Sequence, residues 1–164
     1  MSDHPRPQAL QDGAIISAAT DEDVLSIKRI VDLAYSKYID RIGKPPAPMT
    51  EDYHEVIRTH NVLVVRDKEL TPLGAIIFSL DKESKMIKIK NLVVNPAAQG
   101  RGYGRVLMER VEGTARHLGI TALELYTNVK MYENVGMYPK MGFLESGRRV
   151  EAGFERVYFR KELA

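Results

Sequence analysis

A glycine-rich turn with two arginines is the segment of this sequence best suited to chemistry. It spans Gln99 to Gly104, after an apolar β-type run and before a stretch with helical periodicity. Strand, glycine turn and helix N-terminus present several backbone N–H groups and the positive end of a helix dipole to one point. Arg101 and Arg105 add local positive charge. The turn therefore favours a phosphate or pyrophosphate ligand.

The residues alone leave several interpretations of the turn open. A Walker A loop needs Gly-Lys-Ser/Thr at its end, whereas Gly104 is followed by Arg105 and Val106, which argues against an NTPase. The dinucleotide fingerprint needs a third glycine at a position that Gly104 does not occupy. A plain tight turn that binds no ligand is the remaining alternative.

A family resemblance favours one interpretation. The pattern Gln99-x-x-Gly102-x-Gly104 resembles the coenzyme A signature of the GNAT superfamily of N-acetyltransferases, Arg/Gln-x-x-Gly-x-Gly/Ala. It is preceded by Val94-x-Pro96, which is similar to the end of the fourth strand of that family.

A second motif lies further along the chain. Residues 134–143 resemble the later motif of the family in loose form, because Tyr138, Gly142 and Phe143 keep their relative spacing. Two motifs in the right order identify the chain as similar to GNAT acetyltransferases.

The resemblance implies that acetyl-CoA is the co-substrate and that an amine attacks its thioester directly in a ternary complex. Backbone N–H groups of the turn would bind the pyrophosphate, and the pantetheine arm would pair with backbone at Leu92 and Val94. The Val93 N–H would face the thioester oxygen, and Asn134 would contact the pantetheine. The turn residues implied in binding are Gln99, Gly100, Arg101, Gly102, Tyr103, Gly104 and Arg105.

Tyr138 is the expected general acid, because a phenol with a pKa of about 10 is protonated at neutral pH and can donate to a departing thiolate. The alternative is a tyrosine that only packs on its helix. Lys90 stands where family members often carry a glutamate base. A protonated lysine cannot accept the proton, so the sequence identifies no base.

The acceptor site is expected between two parts of the chain. Its tyrosines and arginines favour a small polar acceptor, including one that bears a carboxylate, over a long basic peptide. Tyrosines at helical spacing are also typical of a core. The candidate residues are Tyr35, Tyr38 and the loop from Arg41 to Met49 on one side, and Tyr126, Arg148 and Tyr158 on the other.

These residues need a mixed α/β scaffold. Hydrophobic periodicity predicts the order strand, two helices, three antiparallel strands, helix, strand, helix and a final hairpin. This fits a GNAT-like fold, with a central mixed sheet of about six to seven strands and about four helices. The two-residue alternation in Met86 to Val94 slips at Asn91, which indicates either a bulge or a central strand covered on both faces.

Length and composition limit the number of domains and the kinds of site that the chain can form. With 164 residues, the expectation is a flexible leader over residues 1–13 and one domain over 14–164. The chain has no cysteine, which excludes a thiolate metal site and a cysteine nucleophile and favours a cytoplasmic setting. No apolar run is long enough for a membrane span.

The charge balance limits the partners. A net charge of +2, from 24 basic and 22 acidic residues, gives little attraction to a polyanion, so we expect no nucleic acid partner. His54, His60 and His117 have no ligand-like spacing with carboxylates, so no metal is expected. The resemblance implies a small-molecule amine as partner and allows a homodimer. The alternatives are a non-catalytic acyl-CoA-binding module, an acetyltransferase for a protein or peptide amine, and another class of nucleotide-binding domain.

Overall fold

A computed structural model describes residues 6–163 of the chain. These residues form one mixed sheet with helices on both faces, which confirms the predicted α/β class. The strands are β1 (Gln8–Ala9), β2 (Ile15–Ala18), β3 (Asn61–Arg66), β4 (Pro72–Asp81), β5 (Met86–Val94), β6 (Ala122–Asn128), β7 (Leu144–Glu151) and β8 (Phe154–Glu162). The helices are α1 (Val24–Tyr35), α2 (Tyr38–Ile42), α3 (Tyr53–Thr59), α4 (Tyr103–His117) and α5 (Tyr132–Lys140).

The strand order within the described residues is β1-β2-β3-β4-β5-β6-β8-β7. Only the β5–β6 pair is parallel there, and the other neighbours are antiparallel. The α4 helix crosses from β5 to β6, as a parallel pair requires. Two buried clusters lie on opposite faces of the sheet, one under α4 and the other under α1 and α3.

The sheet has eight strands, one more than the upper limit of the predicted six to seven. The additional strand is β1, in the segment expected to be a leader, and it pairs antiparallel with β2. Arg110 of α4 donates to the Gln8 side chain at 2.9 Å and so holds β1 from the other side. Residues 1–5 lie outside the described residues.

The start of α1 is fixed by a buried ion pair. The Thr20 N–H donates to the Asp23 carboxylate at 2.8 Å and forms a capping box with it. The same carboxylate accepts two hydrogen bonds from Arg66, at 2.7 and 2.8 Å. The hydrogen-bonded guanidinium lowers the pKa of Asp23. The first turn of α1 is thereby fastened to β3 on the sheet.

The segment expected to be a loop, from Arg41 to Met49, is partly helical. The α2 helix continues through Ile42 and ends at Gly43, whose φ of 92° allows the left-handed C-cap. The stretch Ala47–Thr50 forms a 3₁₀ turn. The loop prediction was wrong for these residues because prolines are tolerated in the first turn of a helix.

The predicted bulge in β5 is present. Two consecutive β4 residues (77–78) lie opposite Asn91 and Ile89, so Lys90 is the additional residue. Leu92 consequently packs in the same buried cluster as Ile89. The two residues are three positions apart and would face opposite sides of a regular strand. Both proposed explanations of the phase slip apply, since β5 also lies in the middle of the sheet.

The parallel pairing ends just before the bulge. The last β5–β6 pair is Ile89 with Leu125, and β6 then continues to Asn128 paired with β8 alone. Residues 90–94 of β5 therefore face a gap in the sheet. The two strands therefore diverge from the bulge residue onward.

Gly74 on β4 allows the close approach of β5 along this stretch. A Cβ atom at Gly74 would lie 2.7 Å from the Val93 carbonyl oxygen, which is backbone and cannot turn aside. We predict that Gly74→Ala lowers the free energy of unfolding by about 1–3 kcal/mol in urea denaturation, as overpacking does. Gly147→Ala on β7 is the control, because no atom lies within 4 Å of that Cβ position. Equal stability of the two variants would contradict the prediction.

Candidate active site

The glycine turn has the geometry of an anion cradle. Gly100 and Gly102 have φ angles of 84° and 85°, which favour glycine. The α4 helix begins at Tyr103, directly after Gly102. Among residues 6–163, no group accepts from the N–H of Tyr103, Gly104 or Arg105. These N–H groups are free to bind an anion at the helix N-terminus.

Gly104 has no structural need to be glycine. It lies within α4, and a Cβ atom there would meet only side-chain carbons of Leu92 and Val94 at 3.9 Å, an ordinary contact. An alanine would therefore fit and would favour the helix. Its absence leaves the backbone open to close approach by a ligand.

The turn borders an open cleft, which we call the turn cleft. Its other walls come from α1, α5 and the last residues of β5. Arg101 is the one residue of the predicted turn that does not line it. The predicted binding residues that line it are Leu92, Val93, Val94, Gln99, Gly100, Gly102, Tyr103, Gly104, Arg105 and Asn134.

The Gln99 and Tyr103 side chains hold the turn in place. The Gln99 amide donates to the Val94 carbonyl oxygen at 3.1 Å and ties the turn to the end of β5. The Tyr103 hydroxyl donates to the Asp12 carboxylate at 2.5 Å, and this hydrogen bond lowers the pKa of Asp12. Both side chains position the turn, which leaves its backbone as the ligand-facing part.

A charged cluster crosses the turn cleft, and sequence reasoning missed it. Glu133 of α5 accepts from both guanidinium nitrogens of Arg41, at 3.0 and 3.2 Å, and from the Tyr38 hydroxyl at 3.2 Å. The Arg41 hydrogen bonds lower the pKa of Glu133 to about 2. Burial raises the pKa of Tyr38 to about 12. This cluster joins α2 to α5, and no pattern in the sequence predicts this contact.

A second cavity, which we call the gap pocket, occupies the divergence of β5 and β6. Its lining includes both edges of the gap, with Ile89 and Asn91 from β5 and Leu125 and Thr127 from β6. The two cavities adjoin, since Tyr35, Leu92 and Asn134 line both.

Tyr138 lines the gap pocket and is itself 5% exposed. Its ring packs against Phe143 and Phe159, with centroids 5.9 and 5.8 Å away. Its hydroxyl makes no hydrogen bond to any described residue. Burial raises the pKa of Tyr138. The phenol is thus protonated at neutral pH and can donate to a group in the pocket.

The bulge places polar groups in the gap pocket. Asn91 accepts from the Tyr35 hydroxyl at 2.6 Å, while its buried amide nitrogen has no partner among residues 6–163. The Lys90 ammonium lies 2.9 Å from a carboxylate oxygen of Glu51. Both members of this ion pair line the pocket and are about one-third exposed. The sequence does not indicate a carboxylate beside Lys90, because Glu51 follows the proline-rich segment and meets Lys90 only in the folded chain.

The acceptor-side predictions hold in part. Tyr126 lines the gap pocket, and Tyr35 is both buried and at the wall of each cavity. Arg148 and Tyr158 line neither cavity, since Arg148 pairs with Glu145 at 2.6 Å on the exposed edge strand and Tyr158 packs behind Tyr126. Arg156 from the neighbouring strand lines the pocket instead. The register of a hairpin decides which of its arginines faces a cavity, and spacing alone does not set it.

No cluster of three or more histidine, aspartate and glutamate side chains in residues 6–163 has the arrangement of a metal site. None of the helices there combines the length and apolar character of a membrane span.

Comparison with known proteins identifies the family. Residues 27–143 match the Acetyltransferase (GNAT) family, and because this is more than half of the chain, the protein belongs to that family of acyltransferases. A stretch of 59 residues is 39% identical to an IAA acetyltransferase of Azospirillum brasilense. The match covers 36% of this chain and only 39% of that relative.

Solved structures share the fold. The ribosomal-protein-S18-alanine N-acetyltransferase of Escherichia coli superposes with a TM-score of 0.73 at 16% identity, covering 91% of this chain and 93% of that one. A spermidine/spermine N-acetyltransferase of Vibrio cholerae gives a TM-score of 0.66 at 17% identity, covering 91% and 92%. At such identities the likeness establishes the fold alone.

Gly104→Glu separates binding from stability. It should leave the melting temperature close to that of the wild type, because glutamate favours a helix over glycine and suits its first turn. It should weaken coenzyme A binding in calorimetry by about tenfold or more, because it puts a negative charge where the turn would hold a phosphate. The matched control is Gly113→Glu in the same helix, where no atom lies within 4 Å of the added Cβ atom, and its affinity should be unchanged. Full affinity in Gly104→Glu would remove the turn from the binding site.

Proposed function

We propose that this protein is an N-acetyltransferase that transfers an acetyl group from acetyl-CoA to the amine of a small polar acceptor. The observation that carries the proposal is the meeting of the turn cleft and the gap pocket at Leu92, where β5 and β6 diverge. One cavity has an anion cradle at its end, and the other has a protonated phenol in its wall. Two substrates that enter from these two sides would meet at the gap.

In this proposal the turn binds the pyrophosphate of acetyl-CoA through free backbone N–H groups, helped by Arg105 at its edge. The pantetheine arm lies along residues 92–94, and the Leu92 N–H, which faces the gap, polarises the thioester carbonyl. Val93, the residue expected in this role, lies opposite Ala75 of β4. Two residues further on, the Asn95 N–H donates to the Leu73 carbonyl oxygen of β4, so the Val93 N–H faces β4 as well and not the gap. Asn134, at the border of both cavities, contacts the arm.

The amine nitrogen attacks the carbonyl carbon, a C–N bond forms and the C–S bond breaks. Tyr138 gives its proton to the departing thiolate. The chain contains no cysteine, so the acetyl group does not pass through a cysteinyl enzyme. Direct transfer within the ternary complex follows.

The proton released by the amine needs an acceptor, and Lys90 cannot serve while it is protonated. We assign this role to Glu51, whose carboxylate is held in the gap pocket by the Lys90 ammonium. Glu51 would accept the proton directly or through water. The loop thus supplies the carboxylate that the strand lacks.

A non-catalytic acyl-CoA-binding module is the competing function, because Lys90 occupies the bulge. A homodimer and a cytoplasmic setting also remain predictions. The distinguishing experiment follows free thiol release from acetyl-CoA across a panel of amines. A thermal-shift comparison with ATP and NAD accompanies it, since a saturating ligand adds about 2.7 kcal/mol at a hundred times its Kd. Stabilisation by acetyl-CoA without thiol release for any amine would favour the module.

Tyr138→Phe tests the general acid. We expect turnover to fall by at least about tenfold, within the roughly 10²–10⁴ range of general acid catalysis, with little change in acetyl-CoA affinity. Tyr132→Phe on the same helix is the control, because Tyr132 is 63% exposed and lines neither cavity. Equal turnover in Tyr138→Phe and wild type would remove Tyr138 from the mechanism.

Exchange of charges tests Glu51. Glu51→Gln should lower kcat/KM by about tenfold or more, and the double variant Glu51→Lys/Lys90→Glu should recover part of the loss, because it returns a carboxylate to the pocket. Reversal of the exposed pair Glu55 and Arg58 on α3 is the control and should change nothing measurable. Wild-type rates in Glu51→Gln would show that the carboxylate is not the base.

A further inference from the structure

Arg156 is a largely buried cation whose one ion pair is long. Its side chain is 13% exposed, and the nearest carboxylate, Glu151, lies 4.0 Å from a guanidinium nitrogen, beyond hydrogen-bond distance. Glu151 instead accepts a hydrogen bond from Tyr158. No side-chain hydrogen bond of Arg156 occurs among residues 6–163. A buried charge in this state is costly unless a ligand completes its hydrogen bonds.

Arg156 lies where the acceptor would bind, in the lining of the gap pocket. It lines the gap pocket near the start of β8, with its guanidinium stacked on the Tyr126 ring at 4.3 Å. This stacking fixes the plane of the guanidinium and leaves its N–H edge available. A fixed guanidinium edge matches the two oxygens of a carboxylate.

The charges of the pocket favour an anionic group as well. Its charged lining residues are Glu51, Lys90 and Arg156. The first two are paired at 2.9 Å, so the lining carries a net charge of +1 from Arg156, and Glu151 outside the lining balances it only across 4.0 Å. A polyamine would meet this charge unfavourably, whereas a molecule with one amine and one carboxylate would match it.

The rest of the lining is mostly apolar and suits an apolar portion between the amine and the carboxylate of such a molecule. Aromatic and aliphatic side chains from helices, strands and loops, including Phe154 and Met131, form most of the pocket wall. We infer that the acceptor is a small amine that also bears a carboxylate, with Arg156 binding the carboxylate while the amine faces the gap. This inference rests on the proposed acetyl transfer and narrows its substrate class.

Matched substrate pairs test the inference. Each pair consists of an amino acid with an apolar or aromatic side chain and the amine that remains after removal of its carboxylate. Thiol release from acetyl-CoA is measured for both members, and their equilibrium binding to the coenzyme A complex is measured by calorimetry. The wild type should prefer the carboxylated member by at least tenfold in kcat/KM and in affinity.

Arg156→Gln should abolish this preference, chiefly by raising KM for the carboxylated member, and Arg156→Lys should retain part of it because charge remains without the planar fork. Arg149→Gln is the matched control. Arg149 lies opposite Arg156 in the β7–β8 register and also stacks on a tyrosine, at 4.5 Å, but lines neither cavity. Its substitution should leave the preference intact. Unchanged acetyl-CoA affinity and melting temperature show that a variant is folded.

The two proposals fail in different ways. Equal use of both members by the wild type, or a preference that survives in Arg156→Gln, overturns the carboxylate site and leaves acetyl transfer standing. Carboxylate-dependent binding that Arg156→Gln removes, without thiol release from any pair, supports the site and overturns the transferase function. No binding and no turnover for any member overturns both.

Discussion

The end of β5–β6 pairing is the constraint on which the site depends. Two parallel strands that separate inside a sheet leave backbone groups and side-chain surface without a neighbour, which would be unfavourable in a closed core. The bulge at Lys90 makes the separation possible, because it bends β5 and reverses which residues face each side. Both cavities border the stretch that follows, so one additional residue determines where they meet.

Several features of this arrangement could be predicted from the sequence. The slip in alternation at Asn91 indicated the bulge, and the spacing of Gly102 and Gly104 before a helical stretch indicated the anion cradle. Both signals are local, since a strand phase and a turn conformation depend on neighbouring residues. The mixed sheet followed from the order of elements, and the family motif at Tyr138 pointed to the wall of the gap.

The parts that sequence reasoning missed are all contacts between distant segments. Glu51 meets Lys90 across 39 positions of the chain, and Arg41 meets Glu133 across 92. Arg156 lines the gap pocket because of the hairpin register, whereas the expected Arg148 lies on the edge strand. Such pairings depend on topology and loop path, which charge spacing in one sequence does not encode. The strand β1 was missed for a similar reason, because two residues are too few for a periodic signal.

The hydrogen bond between Tyr103 and Asp12 links the beginning of the described chain to the glycine turn. Asp12 also accepts from the Ala14 N–H at 3.0 Å, next to β2. Local opening of this N-terminal segment and loosening of the turn are therefore parts of one cooperative event. Occupancy of the turn would slow amide hydrogen exchange in the first strands of the sheet, although no ligand atom need touch them.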